Sequence, residues 1–321
     1  MELRLSSFEI RALVEETSKE IEKAHLTKVQ QIGKELFRLS FSTRSGKRDL
    51  LVEMGKRFNL TDYSMKAPEK PSQVAIVLRK YLENKILERI EQHGFDRVIV
   101  LDFGENKVIL EFFSHGNMIL TDKNDKIILT FRHEEWKDRK LEKGQTYLFP
   151  KGALNPYDIS LSEFRKIFTE KDAVRSLVKS LSFGGDYAEE ICALAGVEKN
   201  ASPTDDEKER LYKAMEKILG FKTEPVMQGD RLFPFPLSSL EIQKRFKSMN
   251  NAVDEFYLMK QPESQKLKKL RKRLDEQVKA LDRFGREADD SRKKGDLIYS
   301  NYTSIEKMLD KKKGKFTVEL D

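Results

Sequence analysis

The sequence has little of the residue types that build disulfide and metal sites, with one cysteine and four histidines in 321 residues. The single Cys192 excludes a disulfide framework and every cysteine-rich zinc site, and it predicts a reducing compartment. No apolar run reaches the ~18 residues that a membrane span requires, and no apolar signal segment follows Met1. We therefore expect a cytoplasmic protein that has no membrane partner.

The motifs typical of common enzyme classes are also missing. The sequence has no Walker loop, no GxGxxG opening a helix after a strand and no GxSxG elbow. No histidine has a partner three or four residues away that would place two metal ligands on one helix face; the four are His25, His93, His115 and His133. We expect a binding protein without catalysis, cofactor or metal.

Charge is abundant and its excess is local. Charged residues make up 36% of the sequence, and the formal net charge is +7. The segment 264–294 contains 12 Lys or Arg and 6 Asp or Glu, so much of the positive excess lies there. Such a segment is either a solvated helix face or a contact surface for RNA or the ribosome.

Residues 1–150 are predicted to form an α+β domain. Ser6 and Ser7 precede apolar residues at helical spacing, which predicts a helix over 6–24. Two stretches, 27–62 and about 85–131, alternate apolar and polar residues between glycine turns, as antiparallel meanders do. With a helix between them and no βαβ rhythm, this order favours two sheets or a barrel-like sandwich.

Residues 151–237 are predicted to form a small module of short helices, of helix-hairpin or helix-two-turn-helix type. Gly184 and Gly185 precede one of these helices, where free backbone N–H groups could bind a phosphate. The alternative is a tight turn with Asp186 as the helix N-cap. Both readings remain open on the sequence.

Residues 238–321 are predicted to be a coiled-coil arm. Seven residues follow the alternating spacing of three and four that a coiled-coil seam requires. They are Leu267, Leu270, Leu274, Gln277, Leu281, Phe284 and Ala288.

Asp96 and Arg97 stand side by side before the apolar run 98–101, which reads as a buried strand. Successive side chains of a strand point to opposite faces, so the two do not obviously neutralise each other. In one interpretation they form ion pairs across the sheet, for example with Glu111 or Arg89. In the other they are a polar pair that a rigid strand presents to a ligand.

Five segments, in this order, resemble the NFACT family of ribosome quality-control proteins, which includes NEMF, RqcH and the proteins once called fibronectin-binding protein A. They are LSSFEIRALVEE, FDRVIVLDF, LEFFSHGNMILTD, LSFGGDYAEEICALAG and KKGDLIYSNYTSIEKML, and they cover nearly the whole chain. The resemblance implies an N-terminal domain similar to that of formamidopyrimidine-DNA glycosylases, then a helix-hairpin-helix module and a long coiled coil. The resemblance is to the archaeal type of member, without the C-terminal RNA-binding domain.

The same resemblance implies partners and site residues. Family members bind the obstructed large ribosomal subunit and recruit aminoacyl-tRNA, here expected to be Ala-tRNA, for C-terminal tailing of stalled chains. Asp96 and Arg97 resemble the family pair implicated in tRNA recruitment, and Glu9 falls where an acidic residue, usually Asp, belongs to the same site. The arm is expected to contact ribosomal RNA and to allow a homodimer; the expected contact residues are Lys266, Lys268, Lys269, Arg271, Lys272 and Arg273.

The sequence departs from the family in its last part and at Met118, where a β-branched residue is expected, and it also allows a rival function. Members usually carry a return arm and a further RNA-binding domain, whereas this chain runs from SIEKMLDKKKGKF to Asp321, so we expect an abbreviated form. The rival is a DNA glycosylase-like nucleic-acid-binding protein. Base excision in that family needs an N-terminal proline amine and a zinc finger, but the chain begins Met-Glu-Leu and has one cysteine.

Overall fold

The structure, a computed structural model, describes residues 3, 5–136, 139–150, 153–260 and 265–309. The chain divides into two units, Met1–Met259 and Lys260–Asp321. The described part of the first unit combines two larger antiparallel sheets, a helical module and two small sheets. The described part of the second unit is helical.

The first unit begins with helix α1 (Ser7–Ile21), as its sequence predicts. Ser6 caps the helix and forms a capping box with Glu9, which satisfies backbone N–H groups of the first turn. Four antiparallel strands follow in chain order and confirm the first predicted meander: β1 (His25–Gln31), β2 (Leu36–Thr43), β3 (Gly46–Glu53) and β4 (Arg57–Thr61). Alternate residues of β2, Phe37, Leu39 and Phe41, enter the core under this sheet.

The second predicted meander is also confirmed. After α2 (Gln73–Leu82), five antiparallel strands pair in chain order: β5 (Arg89–Gln92), β6 (Val98–Asp102), β7 (Asn106–Glu111), β8 (Asn117–Asp122) and β9 (Ile127–Thr130). Ile99 and Leu101 of β6 lie in one core with the first sheet, α1 and α2. Val98 and Val100 lie in a second cluster with Tyr147. Both faces of β6 are therefore buried, which explains its unbroken apolar run.

The two sheets meet at a contact between backbones. Gly55, in the β3–β4 turn, and Gly116, before β8, both have positive φ, +68° and +69°. A Cβ on Gly116 would lie 1.9 Å from the backbone nitrogen of Gly55, so only glycine fits there. Arg132 closes the contact by donating to the carbonyls of His115 and Gly116 at 2.9 and 2.6 Å.

The helical module contains α3 (Leu161–Lys166), α4 (Ala173–Leu181), α5 (Gly185–Ala195) and α6 (Asp205–Leu219). These helices share a core of their own, into which α1 inserts Phe8. The helix-hairpin-helix topology stays a prediction, as does the likeness to the glycosylase fold. Between β9 and this module, β10 (Glu134–Glu135) and β11 (Lys140–Leu141) form a two-stranded antiparallel sheet. After the module, a small sheet of order β13-β12-β14 is formed by β12 (Val226–Gln228), β13 (Arg231–Phe233) and β14 (Ile242–Arg245).

The first unit extends beyond the boundary predicted at residue 237. Strand β14 lies where the sequence was expected to turn helical, because its residues pair with β12. Helix α7 (Met249–Lys260) begins only at Met249, and its residues Ala252, Val253 and Phe256 are buried in the core of the first sheet. The structure thus places the end of the compact unit at residue 259.

Helix α7 is tied to the first unit by buried polar contacts. Asp254 pairs with Arg57 of β4 at 2.6 Å, with both side chains almost fully buried. The same carboxylate oxygen accepts from Asn59 at 2.8 Å. Glu16 of α1 accepts the backbone N–H groups of Met249 and Asn250 and so caps the helix. Hydrophobic periodicity does not report such contacts, so the sequence predicted the start of this helical region too early.

The second unit contains a long helix, α8 (Gln265–Ser300), and a short one, α9 (Tyr302–Leu309). The predicted helix is therefore present over the basic segment. Apolar residues of the predicted seam are exposed on it, at 53–72% of their side-chain surface: Leu270, Leu274, Leu281 and Phe284. Coiled-coil pairing of this seam stays a prediction, and the side chain of Leu267 lies outside the described residues.

We expect Gly116→Ala to destabilise the first unit more than the same substitution at a glycine that has positive φ but no close neighbour. The matched control is Gly104→Ala, since Gly104 has φ +79° but open space around its Cβ position. Each change carries backbone strain of about 1 kcal/mol, and Gly116→Ala must also push the sheets apart. Chemical denaturation of both variants should give the larger loss for Gly116→Ala. Equal losses would mean that the contact between the sheets is not tight.

Candidate nucleic-acid interface

Asp96 and Arg97 lie in the turn between β5 and β6, and hydrogen bonds close this turn. The His93 N–H donates to the Val98 carbonyl at 2.9 Å, and the Asp96 N–H donates to the His93 carbonyl at 3.0 Å. Oδ1 of Asp96 accepts the Arg97 N–H at 2.7 Å. The Arg97 carbonyl accepts from Phe112, which joins the turn to the end of β7. Asp96 and Arg97 therefore lie in a hairpin turn whose backbone is held by hydrogen bonds.

Glu111 and Arg89, the ion-pair partners that one interpretation of the sequence gave to Asp96 and Arg97, pair with other residues. Glu111 accepts two hydrogen bonds from Arg139, at 2.6 and 3.1 Å, and one from the Tyr147 hydroxyl at 2.8 Å. Arg89 pairs with Glu91. Across the part of the chain that the structure describes, neither Asp96 nor Arg97 forms an ion pair. Both residues are half-buried.

Two side chains that sequence reasoning missed hold this turn against α1. Gln92 donates to the Ser7 carbonyl at 3.0 Å and to the Asp96 carbonyl at 2.8 Å. Arg11 donates to the Gly94 carbonyl at 3.1 Å, and its guanidinium lies 5.0 Å from the centre of the Tyr157 ring. Helix α1 is therefore hydrogen-bonded to the turn at two points, its Ser7 carbonyl and its Arg11 side chain. All three acceptors are backbone carbonyls, which leave no signature in the sequence.

Glu9, expected to act with Asp96 and Arg97, is buried and occupied within the fold. One carboxylate oxygen accepts the Ser6 N–H at 2.6 Å, and the other accepts the Tyr187 hydroxyl. Burial raises the pKa of the Glu9 carboxyl. Glu9 thus fixes the first turn of α1 against α5. The turn at Asp96 contacts this part of α1 through Gln92, which donates to the carbonyls of Ser7 and Asp96.

Gly184 and Gly185 lie at the start of α5, away from the Asp96 turn in sequence. Gly184 is the N-cap residue, and α5 begins at Gly185. Asp186 does not cap the helix, contrary to the alternative that the sequence left open; it pairs with Arg231. Its carboxylate lies in the first turn, where it complements the helix dipole as a bound anion would. Phosphate binding by the two glycines stays a prediction.

Of the residues expected to contact ribosomal RNA, Lys272 and Arg273 are exposed on α8. The other four expected residues have side chains outside the described part of the structure: Lys266, Lys268, Lys269 and Arg271.

Within the described ranges, no group of three or more His, Cys, Asp or Glu residues is arranged to hold a metal ion. Cys192 is buried, and burial raises the pKa of its thiol to about 11. A thiol of that pKa is protonated at neutral pH and is a poor nucleophile. None of the helices in the same ranges combines the length and the apolar character needed to cross a bilayer.

These features define an α+β domain with a helical module and a long basic helix. The sequence profile described as NFACT N-terminal and middle domains matches residues 6–315. The chain belongs to this family, as the five resembling segments predict. The archaeal Rqc2 homolog aRqcH of Methanocaldococcus jannaschii is 30% identical over 90% of this chain.

Other relatives extend the comparison. The ribosome quality control complex subunit NEMF of Mus musculus is 23% identical over 96% of this chain. The chain spans 48% of the archaeal relative and 34% of the mouse relative. Among solved structures, the N-terminal part of the fibronectin/fibrinogen-binding protein from Streptococcus suis has a TM-score of 0.68 at 23% identity. That match covers 80% of this chain and 100% of the other, and it shows a shared fold.

We expect Arg11→Met to loosen the β5–β6 turn while the fold survives. Methionine keeps much of the apolar stem but loses the hydrogen bond to Gly94, whose net contribution is roughly 1 kcal/mol. Hydrogen exchange of the His93 and Asp96 amides should therefore accelerate by about fivefold. The matched control is Arg79→Met, because Arg79 also donates from a helix to a carbonyl, that of Val29 at 2.7 Å. Unchanged exchange in Arg11→Met would show that Arg11 does not hold the turn.

Proposed function

We propose that this chain is the tRNA-recruiting part of a ribosome quality-control factor that acts in the cytoplasm. In this proposal it binds the obstructed large ribosomal subunit and brings aminoacyl-tRNA, Ala-tRNA by preference, for C-terminal tailing of the stalled chain. The observation that carries it is the Asp96–Arg97 pair, which lacks ion-pair partners among the described residues and stands on a clamped hairpin. The family and the names of its relatives support the ribosomal context.

The chemistry of the pair suits RNA. The guanidinium of Arg97 offers a planar fork of N–H donors that fits a phosphate or the acceptor edge of a base. The carboxylate of Asp96 accepts from amino, imino or ribose hydroxyl groups. Because the turn is already held by Gln92 and Arg11, little conformational entropy is lost when RNA binds. Recruitment needs binding and placement only, so the proposal requires no catalytic group in this chain.

The arm supplies a second, less specific contact in this proposal. The excess of Lys and Arg in 264–294 lies mostly on α8, where it would neutralise ribosomal RNA phosphates. The exposed apolar seam of the same helix is the surface through which a homodimer would form. In this proposal the arm binds ribosomal RNA and forms the homodimer, and the first unit selects the tRNA.

The pair can be tested with Asp96→Ala, Arg97→Ala and the double variant. We expect tRNA affinity, measured by filter binding with total tRNA, to fall about tenfold or more, because charge-assisted hydrogen bonds are lost. Unfolding free energies should change by about 1 kcal/mol or less, since neither side chain has an ion-pair partner among the described residues that would be left unpaired.

The matched control for the pair is Arg44→Ala with Asp230→Ala, which removes one exposed base and one exposed acid and keeps the net charge. It should bind tRNA as the parent chain does. Unaltered tRNA affinity in the Asp96→Ala, Arg97→Ala double variant would overturn the proposal, whatever the unfolding data show.

The arm can be tested by salt dependence of ribosomal RNA binding. Changing Lys268, Lys269, Arg271 and Lys272 to Glu should flatten the slope of log affinity against log salt by about two units or more. Each phosphate contact contributes roughly 0.7–0.9 to that slope. The control reverses four exposed charges of the first unit, Lys34, Arg44, Lys66 and Lys70. If both sets of reversals change the slope equally, the arm contributes no more to ribosomal RNA binding than other surface charges do.

A further inference from the structure

Arg38 is a buried cation that forms no ion pair with any described residue. It lies on β2 between Phe37 and Leu39, which enter the core, so its side chain lies on the opposite face of the first sheet. Only 8% of the residue is exposed. The side chains of Arg57 and Arg139 are also almost fully buried, but each pairs with a buried carboxylate. Arg38 differs from them because the described fold does not neutralise its charge.

The hydrogen bonds of Arg38 go to neutral groups and leave one donor without an acceptor. Its two terminal nitrogens donate to the Met65 carbonyl at 2.9 Å and to Oε1 of Gln30 at 2.6 Å. Nε is buried and meets no acceptor within the described ranges. Neutral acceptors satisfy N–H groups but do not neutralise a charge, and burial of an unpaired charge is unfavourable. An anion at this position would supply both the missing acceptor and the missing charge.

Asp49 lies on the same face of the sheet but is engaged elsewhere. In the β2–β3 register Leu51 is opposite Arg38, and Asp49 is opposite Ser40. The Asp49 carboxylate accepts the Ser40 hydroxyl at 2.6 Å and pairs with Lys47 at 3.2 Å. The charge of Asp49 is therefore balanced by that of Lys47, and the charge of Arg38 remains.

Two further donors lie on β1 beside Arg38. The register places Gln30 opposite Arg38 and Lys28 opposite Ser40. Val29 enters the core, so Lys28 and Gln30, on either side of it, share the face of Arg38. In the described part of the chain the Gln30 amide nitrogen makes no hydrogen bond, and Lys28 makes no ion pair. A guanidinium, an amide and an ammonium group on one face match phosphate, which offers more acceptor oxygens than the two of a carboxylate.

The segment 62–72, called the strap below, runs from β4 to α2 and lies over the guanidinium of Arg38. Among the described hydrogen bonds, residues 64–71 take part in one, the bond from Arg38 to the Met65 carbonyl. Pro68 and Pro71 have no N–H to donate. Every residue of the strap is exposed or half-buried. A segment with so few contacts opens at low free-energy cost, and its opening would uncover Arg38.

We propose that Arg38, with Gln30 and Lys28, binds a terminal phosphate when the strap opens, either inorganic phosphate or the phosphate of a small phosphate ester. The Met65 carbonyl occupies the place of one phosphate oxygen, and the ligand displaces it from Arg38. A phosphodiester within RNA continues as a chain on both sides, so it fits a site beneath the strap less well than a terminal phosphate does. The site lies on the first sheet and makes no use of the β5–β6 turn, so it does not depend on tRNA recruitment.

The test follows the Nε–H signal of Arg38 by NMR in the whole chain at constant ionic strength. Inorganic phosphate, glycerol 3-phosphate, acetate and a uridine hexanucleotide without a terminal phosphate are titrated separately. A shift with either phosphate supports the site, and the one that binds more tightly identifies the source. Acetate and the oligonucleotide should leave the signal unchanged. If neither phosphate shifts the signal, if acetate shifts it equally, or if only the oligonucleotide does so, the proposal is wrong.

The opening of the strap has a readout of its own. Phosphate should speed tryptic cleavage after Lys66 by about fivefold, because the Met65 carbonyl loses one hydrogen bond. Pro71 blocks cleavage after Lys70, so mass spectrometry of the fragments reports on a single bond of the strap. Phosphate binding without faster cleavage would overturn the proposal, since the ligand would not displace the strap.

Gln30→Met and Gln31→Met are a matched pair of variants on β1. Gln31 donates to the Lys34 carbonyl at 2.8 Å and pairs with Phe37, so it lies on the other face of the strand. Gln30→Met should weaken phosphate binding by about fivefold, because one donor is lost, and Gln31→Met should not change it. Equal phosphate affinities in the two variants would contradict the proposed ligand set.

Arg38→Met tests the buried charge directly, with calorimetry to measure phosphate binding. This variant should lose phosphate binding, and its unfolding free energy should stay the same or rise, because an unneutralised buried charge is removed. Arg57→Met is the control and should lower stability, since it leaves Asp254 buried without its cation. Phosphate binding that survives in Arg38→Met, or a loss of stability as large as that of Arg57→Met, would refute the proposal.

Discussion

The first turn of α1 packs into two hydrophobic cores at once, and the arrangement of the first unit depends on it. Phe8 is fully buried in the core of the helical module, where it stacks on Tyr187 with ring centres 4.2 Å apart. Ile10, in the same turn, and Leu13, in the next turn, are fully buried under the sheets. The Glu9–Tyr187 hydrogen bond fixes the rotation of the helix between these cores. The same turn therefore sets where Gln92 and Arg11 meet the β5–β6 hairpin.

The charged residues of the first unit divide into those that form buried ion pairs and those that do not. Glu111 with Arg139 and Asp254 with Arg57 are buried pairs whose desolvation is offset by several hydrogen bonds each. Removing one partner from such a pair leaves a buried charge and is costly. Asp96 and Arg97 are half-buried and, among the described residues, join neither of these networks. They are consequently not part of the buried charge pairs that hold the first unit together.

The sequence predicts the elements that depend on local or periodic signals, and it fails where partners are distant. Ser6 and Glu9 predict the start of α1, and alternation predicts both meanders, because each signal lies within a few residues. The adjacency of Asp96 and Arg97 was visible for the same reason. By contrast, Arg57 and Asp254 are 197 positions apart, and Arg11 lies 83 positions before Gly94. No local pattern reports such contacts, so the fold of residues 238–260 and the clamp on the turn were missed.

The contact between Gly55 and Gly116 has a consequence for how this fold can diverge. In most packed pairs, a larger residue at one position is offset by a smaller one at the other, and the two positions then covary. Here both partners already have the smallest side chain, so neither can compensate for growth of the other. We therefore expect selection to keep glycine at each position, with no shared variation between them. Methods that infer contacts from covariation would therefore be blind to the point at which the two sheets meet.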